Sequence, residues 1–88
     1  MTFASIIWDL DDDVDGNVHH CAEHGVTKVE VEEVFQNAVD VDISRTSGRL
    51  VVFGDTQSGR HLMVVFEEID SDTVYPVTAY DVPKRGRP

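Results

Sequence analysis

The stretch Cys21-Ala-Glu-His-Gly-Val-Thr-Lys-Val-Glu30 decides how this chain folds. Gly25 reaches the left-handed conformation that ends helices without steric penalty, so a helix running up to His24 stops there. Thr27 is a good N-cap, and Glu30, three residues on, completes a Thr-x-x-Glu capping box. Val26 before the cap and Val31 after it are spaced for a hydrophobic staple. These four local signals agree on a tight corner between two helices.

Upstream of the corner, Val14, Val18, Cys21 and Ala22 recur at helical spacing and define a first helix, entered through the acidic run Asp9 to Asp13. Before that, Phe3 to Trp8 is apolar and β-prone and reads as a short strand. Downstream, a second helix runs from about Lys28 to Asn37, with Val31, Val34, Phe35 and Ala38 as its apolar stripe. The period then changes to two. Val39, Val41 and Ile43 alternate with acids and Ser44, Thr46-Ser47-Gly48 turns the chain, and Leu50 to Phe53 is the next strand. Gln57-Ser58-Gly59 closes a hairpin into Arg60 to Ile69, whose continuous apolar run Leu62 to Phe66 predicts a central strand. Thr73 to Val82 is the last strand, with Pro76 marking an edge or a bulge. The expected fold is α+β: a short N-terminal strand, two helices, then a three- to four-stranded antiparallel meander, with the helices across one sheet face. Residues 1–82 form a single domain in this reading, and 83–88 a flexible basic tail.

Charge restricts the partners. Seventeen acidic residues against seven Lys and Arg give a net charge of -10. Such a surface repels phosphate backbones at long range. The acids are uneven, however: residues 9–15 hold five aspartates, whereas 45–60 hold Arg45, Arg49 and Arg60 against Asp55 alone. No apolar run reaches the ~20 residues of a membrane span, the N-terminus lacks a basic leader, and a single cysteine suits a reducing compartment. A cytoplasmic protein with no membrane partner is expected.

Asp11, Asp13, Asp15 and Gly16 imitate the start of a calcium loop, but the twelfth position is Ala22 rather than a bidentate acid. His20 and His24 stand four apart without an evident third ligand and read as surface histidines near a helix end. No metal or cofactor is expected, and Cys21 reads as a small core residue. Arg49, Arg60, His61, Tyr75 and Tyr80 come from neighbouring strands. Arginines clamp phosphate and stabilise charge developing on it, while histidine, glutamate or tyrosine move protons.

Trp8-Asp9, Asn17, His24-Gly25-Val26-Thr27 with Glu30, Val34-Phe35, Phe53-Gly54, Ser58-Gly59-Arg60, Leu62 to Phe66 and Val77-Thr78-Ala79 occur in an order that resembles the BrnT toxin family. The resemblance implies a two-layer fold like the RelE toxins, metal-independent endoribonuclease activity, and neutralisation by a cognate DNA-binding antitoxin. With the strand residues above, the candidate catalytic set is His24, Arg49, Arg60 and Tyr80, of which Arg60 carries over most directly from the resemblance. Two positions depart from the family: Glu23 stands where a lysine is usual, and Tyr80 where an arginine is usual. In the nuclease reading a base activates a ribose 2′-hydroxyl, Arg49 and Arg60 stabilise the phosphate, and Tyr80 or His24 handles a proton. The alternative is a non-catalytic protein-binding or regulatory module on the same fold, meeting a basic partner through its acidic surface. An exposed edge strand also makes a homodimer a candidate assembly.

Overall fold

The computed structural model describes residues 5–37, 40–43 and 48–83. The elements are β1 (Ser5–Ile6), α1 (Asn17–Glu23), α2 (Lys28–Asn37), β2 (Asp40–Ile43), β3 (Leu50–Asp55), β4 (His61–Asp70) and β5 (Thr73–Asp81). The fold is α+β, as expected. The strands form one sheet in the order β1-β5-β4-β3-β2. Strands β2 to β5 are an antiparallel meander. Strand β1 joins its far side in parallel, pairing Ser5 with Thr73 and Ile6 with Val74.

The helix-helix corner forms as the sequence dictates. Gly25 has φ +73°. The Val26 N–H donates to the Cys21 carbonyl and the Gly25 N–H to that of Ala22. This pair of bonds is a Schellman motif, and it satisfies the carbonyls left open by the end of α1. The capping box of α2 is also present: the Glu30 N–H donates to Thr27 Oγ1 (3.2 Å), and the Thr27 N–H to Glu30 Oε1 (3.0 Å). Val26 and Val31 are both buried.

The corner aims both helices at one sheet face. Cys21, Val26, Val31, Val34 and Phe35 pack there on Val52, Leu62, Val64, Phe66, Val74 and Ala79. Phe35 meets Phe66 edge to face, with ring centroids 5.2 Å apart, a favoured aromatic geometry. Helix α2 approaches β3 so closely that a Cβ on Gly54 would lie 2.9 Å from the Val34 carbonyl oxygen. The strand expected over Leu50 to Phe53 runs on through Gly54 to Asp55, with Gly54 paired to Leu62.

The structure corrects the first helix. It starts at Asn17 with Gly16 as N-cap; Val14 lies outside it and is exposed, and Ala22 lies within it but is exposed as well. Local aspartate bonding explains the late start. Asp13 accepts the Asp15 N–H on its side chain and the Gly16 N–H on its carbonyl, which holds residues 13–16 in a turn that competes with helix. At Pro76 the register shifts: Val65 pairs with Thr78 but Phe66 with Pro76, leaving Val77 as the extra residue of a bulge. Residues 38–39, 44–47 and 84–88, which carry the expected Val39 and Ser44 ends of β2, the Thr46-Ser47 turn and the basic tail, lie outside the described residues. Among the described residues no helix is long and apolar enough to cross a membrane.

The Gly54–Val34 contact yields a direct test. Gly54→Ala places a methyl group against backbone of α2 and is expected to lower the unfolding free energy by about 1–3 kcal/mol in a denaturant titration. Unchanged stability would mean that the helix does not sit this close to the sheet.

Candidate functional site

Arg60 emerges from the β3–β4 hairpin turn, which Thr56 organises. Buried Thr56 exchanges backbone bonds with Arg60 and Gly59, and its Oγ1 accepts the Arg60 N–H (3.1 Å). Alternation from His61 then sends the Arg60 side chain to the helix-covered face. There each of its three nitrogens donates to a partner. Nε and Nη2 donate to Asp81 Oδ1 and Oδ2 (3.1 and 2.8 Å) in a two-pronged fork. Nη1 donates to Glu30 Oε1 and Oε2 (both 2.9 Å) and to the Gly25 carbonyl (2.8 Å). These bonds, to Asp81 first and Glu30 second, push the Arg60 pKa further up, and Asp81 is held below the usual carboxylate range by the same contact. Charge-assisted, bidentate geometry of this kind is the strong form of the ion pair.

The four expected catalytic residues are only partly brought together. His24 caps α1 and its exposed ring lies 5.4 Å from that of Tyr80, centroid to centroid. Arg60 is adjacent through the Gly25 carbonyl. Arg49 is not. It precedes β3 at the opposite end of the hairpin, where its Nε donates to Glu67 (3.3 Å). Seven residues separate Arg49 from Thr56, the turn residue bonded to Arg60, so the two arginines stand about 23 Å apart along the strand at ~3.3 Å per residue. They also project from opposite faces of the sheet. A shared phosphate clamp built from Arg49 and Arg60 is therefore not formed.

His61 and Tyr75 have other partners. His61 Nδ1 lies 2.7 Å from Asp55 Oδ1, and its ring stacks on Phe53. The Tyr75 hydroxyl donates to Asp9 Oδ2 (2.6 Å). Asp9 Oδ2 also accepts the Asn17 N–H at the head of α1 (2.9 Å). Buried Asn17 in turn donates its amide to the Ile7 and Pro76 carbonyls and accepts the Asp9 N–H. Asn17 thus supplies the edge of β5 just where β1 ends. This Asp9–Asn17–Tyr75 network was not foreseen as a unit. An asparagine after Gly16 looks in sequence like an ordinary helix start, and nothing local predicts that it is buried. Glu30 was legible as a cap but not as a partner of Arg60, because that contact spans the fold.

The metal candidates do not assemble: among the described residues no three His, Cys, Asp or Glu side chains gather where they could hold an ion. Burial pushes the Cys21 thiol up to about 11, so it is a protonated core group at neutral pH. No protein-family model, curated protein or solved structure matches the chain.

The polar network predicts a pH response with a definite sign. Asp9 is depressed by the Tyr75 hydroxyl first and the Asn17 N–H second. Its contribution is present above the ordinary carboxylate pKa and is lost as pH falls through the folded value. Tyr75 is pushed up to about 12, by Asp9 first and burial second. Its contribution is present below the unfolded value of 10 and is lost as pH rises toward 12. A tyrosinate absorbance titration of the folded protein should show a transition near pH 12 that Tyr75→Phe abolishes. A wild-type titration complete near pH 10 would show that the Tyr75–Asp9 bond is absent in solution.

Proposed function

We propose that this chain is a divergent BrnT-like protein that works as a non-catalytic binding module for another protein. The observation that carries this reading is the state of its cations. Arg60 is spent on Glu30, Asp81 and the Gly25 carbonyl, Arg49 bridges to Glu67, and Lys28 bridges to Asp11 (2.9 Å). Every lysine and arginine among the described residues is thus paired with a carboxylate, on a chain of net charge -10. A nuclease needs unpaired positive charge where the phosphate develops its own negative charge. An acidic protein of this kind instead suits a basic protein partner, to which electrostatic complementarity gives rate and selectivity. In the BrnT-like setting a cognate antitoxin is one candidate for that partner.

One specific feature favours a second reading, an endoribonuclease neutralised by its antitoxin. His24 and Tyr80 are in ring contact beside Arg60, and both side chains are able to transfer protons. One assay separates the two. Purified protein at high concentration is incubated with a structured RNA and with single-stranded RNA, alongside His24→Ala and Tyr80→Phe. The binding-module reading predicts cleavage indistinguishable from buffer for all three proteins. Cleavage by wild type that falls at least about a hundredfold in either variant, the scale of losing a general acid or base, would establish the nuclease instead.

A further inference from the structure

The sheet has two outer strands, and side chains close each of them in a different way. On the β1 side, Asp72, Val74 and Pro76 turn their carbonyls outward, and each receives a donor. The Ser5 N–H serves Asp72 (3.1 Å), the Ile7 N–H serves Val74 (2.9 Å), and the Asn17 side-chain amide serves Pro76 (2.8 Å). On the other side β2 is the outermost strand.

Register tells which main-chain groups of β2 face outward. The Thr56 N–H donates to the Arg60 carbonyl (2.9 Å). Antiparallel pairs alternate between hydrogen-bonded and non-hydrogen-bonded. The pairs in step with Thr56 and Arg60 are Gly54–Leu62, Val52–Val64 and Leu50–Phe66. Val51 and Phe53 therefore turn their main-chain groups to β2, where they meet Asp42 and Asp40. The N–H and C=O of Val41 and of Ile43 are left pointing away from the sheet, with no strand beyond them among the described residues. Such a row is a template for pairing with another chain. One of its donors is already occupied: the Ile43 N–H donates to Asp42 Oδ1 (2.8 Å). Asp42 and Ile43 are both exposed.

The same register shows what a second copy would meet. The antiparallel arrangement that uses all the outward groups sets Val41 opposite Ile43 of the copy. Asp42 then faces its own equivalent in a non-hydrogen-bonded pair, where Cα atoms stand about 4.5 Å apart. Like charges directly opposite each other destabilise a strand pair. Asp42 thus opposes pairing twice, by holding the Ile43 donor and by repelling its counterpart.

We propose that Asp42 keeps the β2 edge from pairing with a second copy of this chain. Backbone geometry leaves a homodimer open to the sheet, and one carboxylate holds it off. This role does not depend on how the His24–Tyr80 surface is used.

Sedimentation equilibrium from micromolar to millimolar protein tests it, with folding checked by circular dichroism. Wild type is expected to stay monomeric. So is Asp12→Ala, which removes an exposed carboxylate from the run before α1. Asp42→Ala should form a dimer, with a Kd at least about tenfold below any limit set for wild type. Asp42→Val, uncharged and β-favouring, should do the same. Amide exchange at Val41 and Ile43 should slow as the concentration of either variant rises. Adding Ile43→Pro to Asp42→Ala removes the outward N–H at an exposed edge position, where proline is tolerated, and should restore the monomer. Any of four results overturns the proposal. Wild type forms a dimer that slows exchange at Val41 and Ile43. Both folded Asp42 variants stay monomeric. Asp12→Ala associates as tightly as Asp42→Ala, which would assign the effect to total charge. The variant dimer leaves exchange at Val41 and Ile43 unchanged, which would place its interface elsewhere.

Discussion

One guanidinium joins four parts of this fold. Arg60 directly precedes β4 and grips the end of β5 through Asp81, the start of α2 through Glu30, and the helix-helix corner through the Gly25 carbonyl. Glu30 is shared, since the same carboxylate closes the capping box with Thr27. The side chains of Arg60 and Glu30 are 28% and 17% exposed, so the pair is shielded enough to matter but remains wet enough to avoid the full penalty of burying charge. The Schellman turn fixes where the helices bend; the arginine fixes that bend to one end of the sheet.

This arrangement bears on function. An arginine whose three nitrogens already donate to two carboxylates and a carbonyl meets a phosphate with its positive charge largely compensated. The nuclease constellation expected from sequence needed Arg49 and Arg60 on one anion, and the hairpin puts them at opposite ends and on opposite faces. What is left at the site is a ring contact between His24 and Tyr80 in an acidic neighbourhood.

The corner, helix α2 and the antiparallel meander were legible in the sequence because each rests on local chemistry: a glycine with positive φ, a Thr-x-x-Glu box, a period of two; the parallel pairing of β1 with β5 was not, because it joins opposite ends of the chain. Pro76 announced its bulge for the same reason. The start of α1 was not legible, because the helical spacing of Val14 competes with aspartate turns whose strength the pattern does not reveal. The candidate site was legible only as a set of residue types. Whether Arg60 serves a substrate or the fold depends on Glu30 and Asp81, which are 30 and 21 residues away in sequence, and Asn17 gave no outward sign of being buried. Local rules identify elements well; they leave undetermined the partner of a charged side chain.

The most direct test of this account is a double-mutant cycle on Arg60 and Glu30, read by denaturant unfolding at neutral pH with Arg60→Met, Glu30→Gln and the combination. If Arg60 is a structural tie, the single variants lose stability and the pair shows a coupling of about 1 kcal/mol or more. Additivity within about 0.3–0.5 kcal/mol, with Arg60→Met as stable as wild type, would contradict the account and return Arg60 to the role of a free anion-binding group.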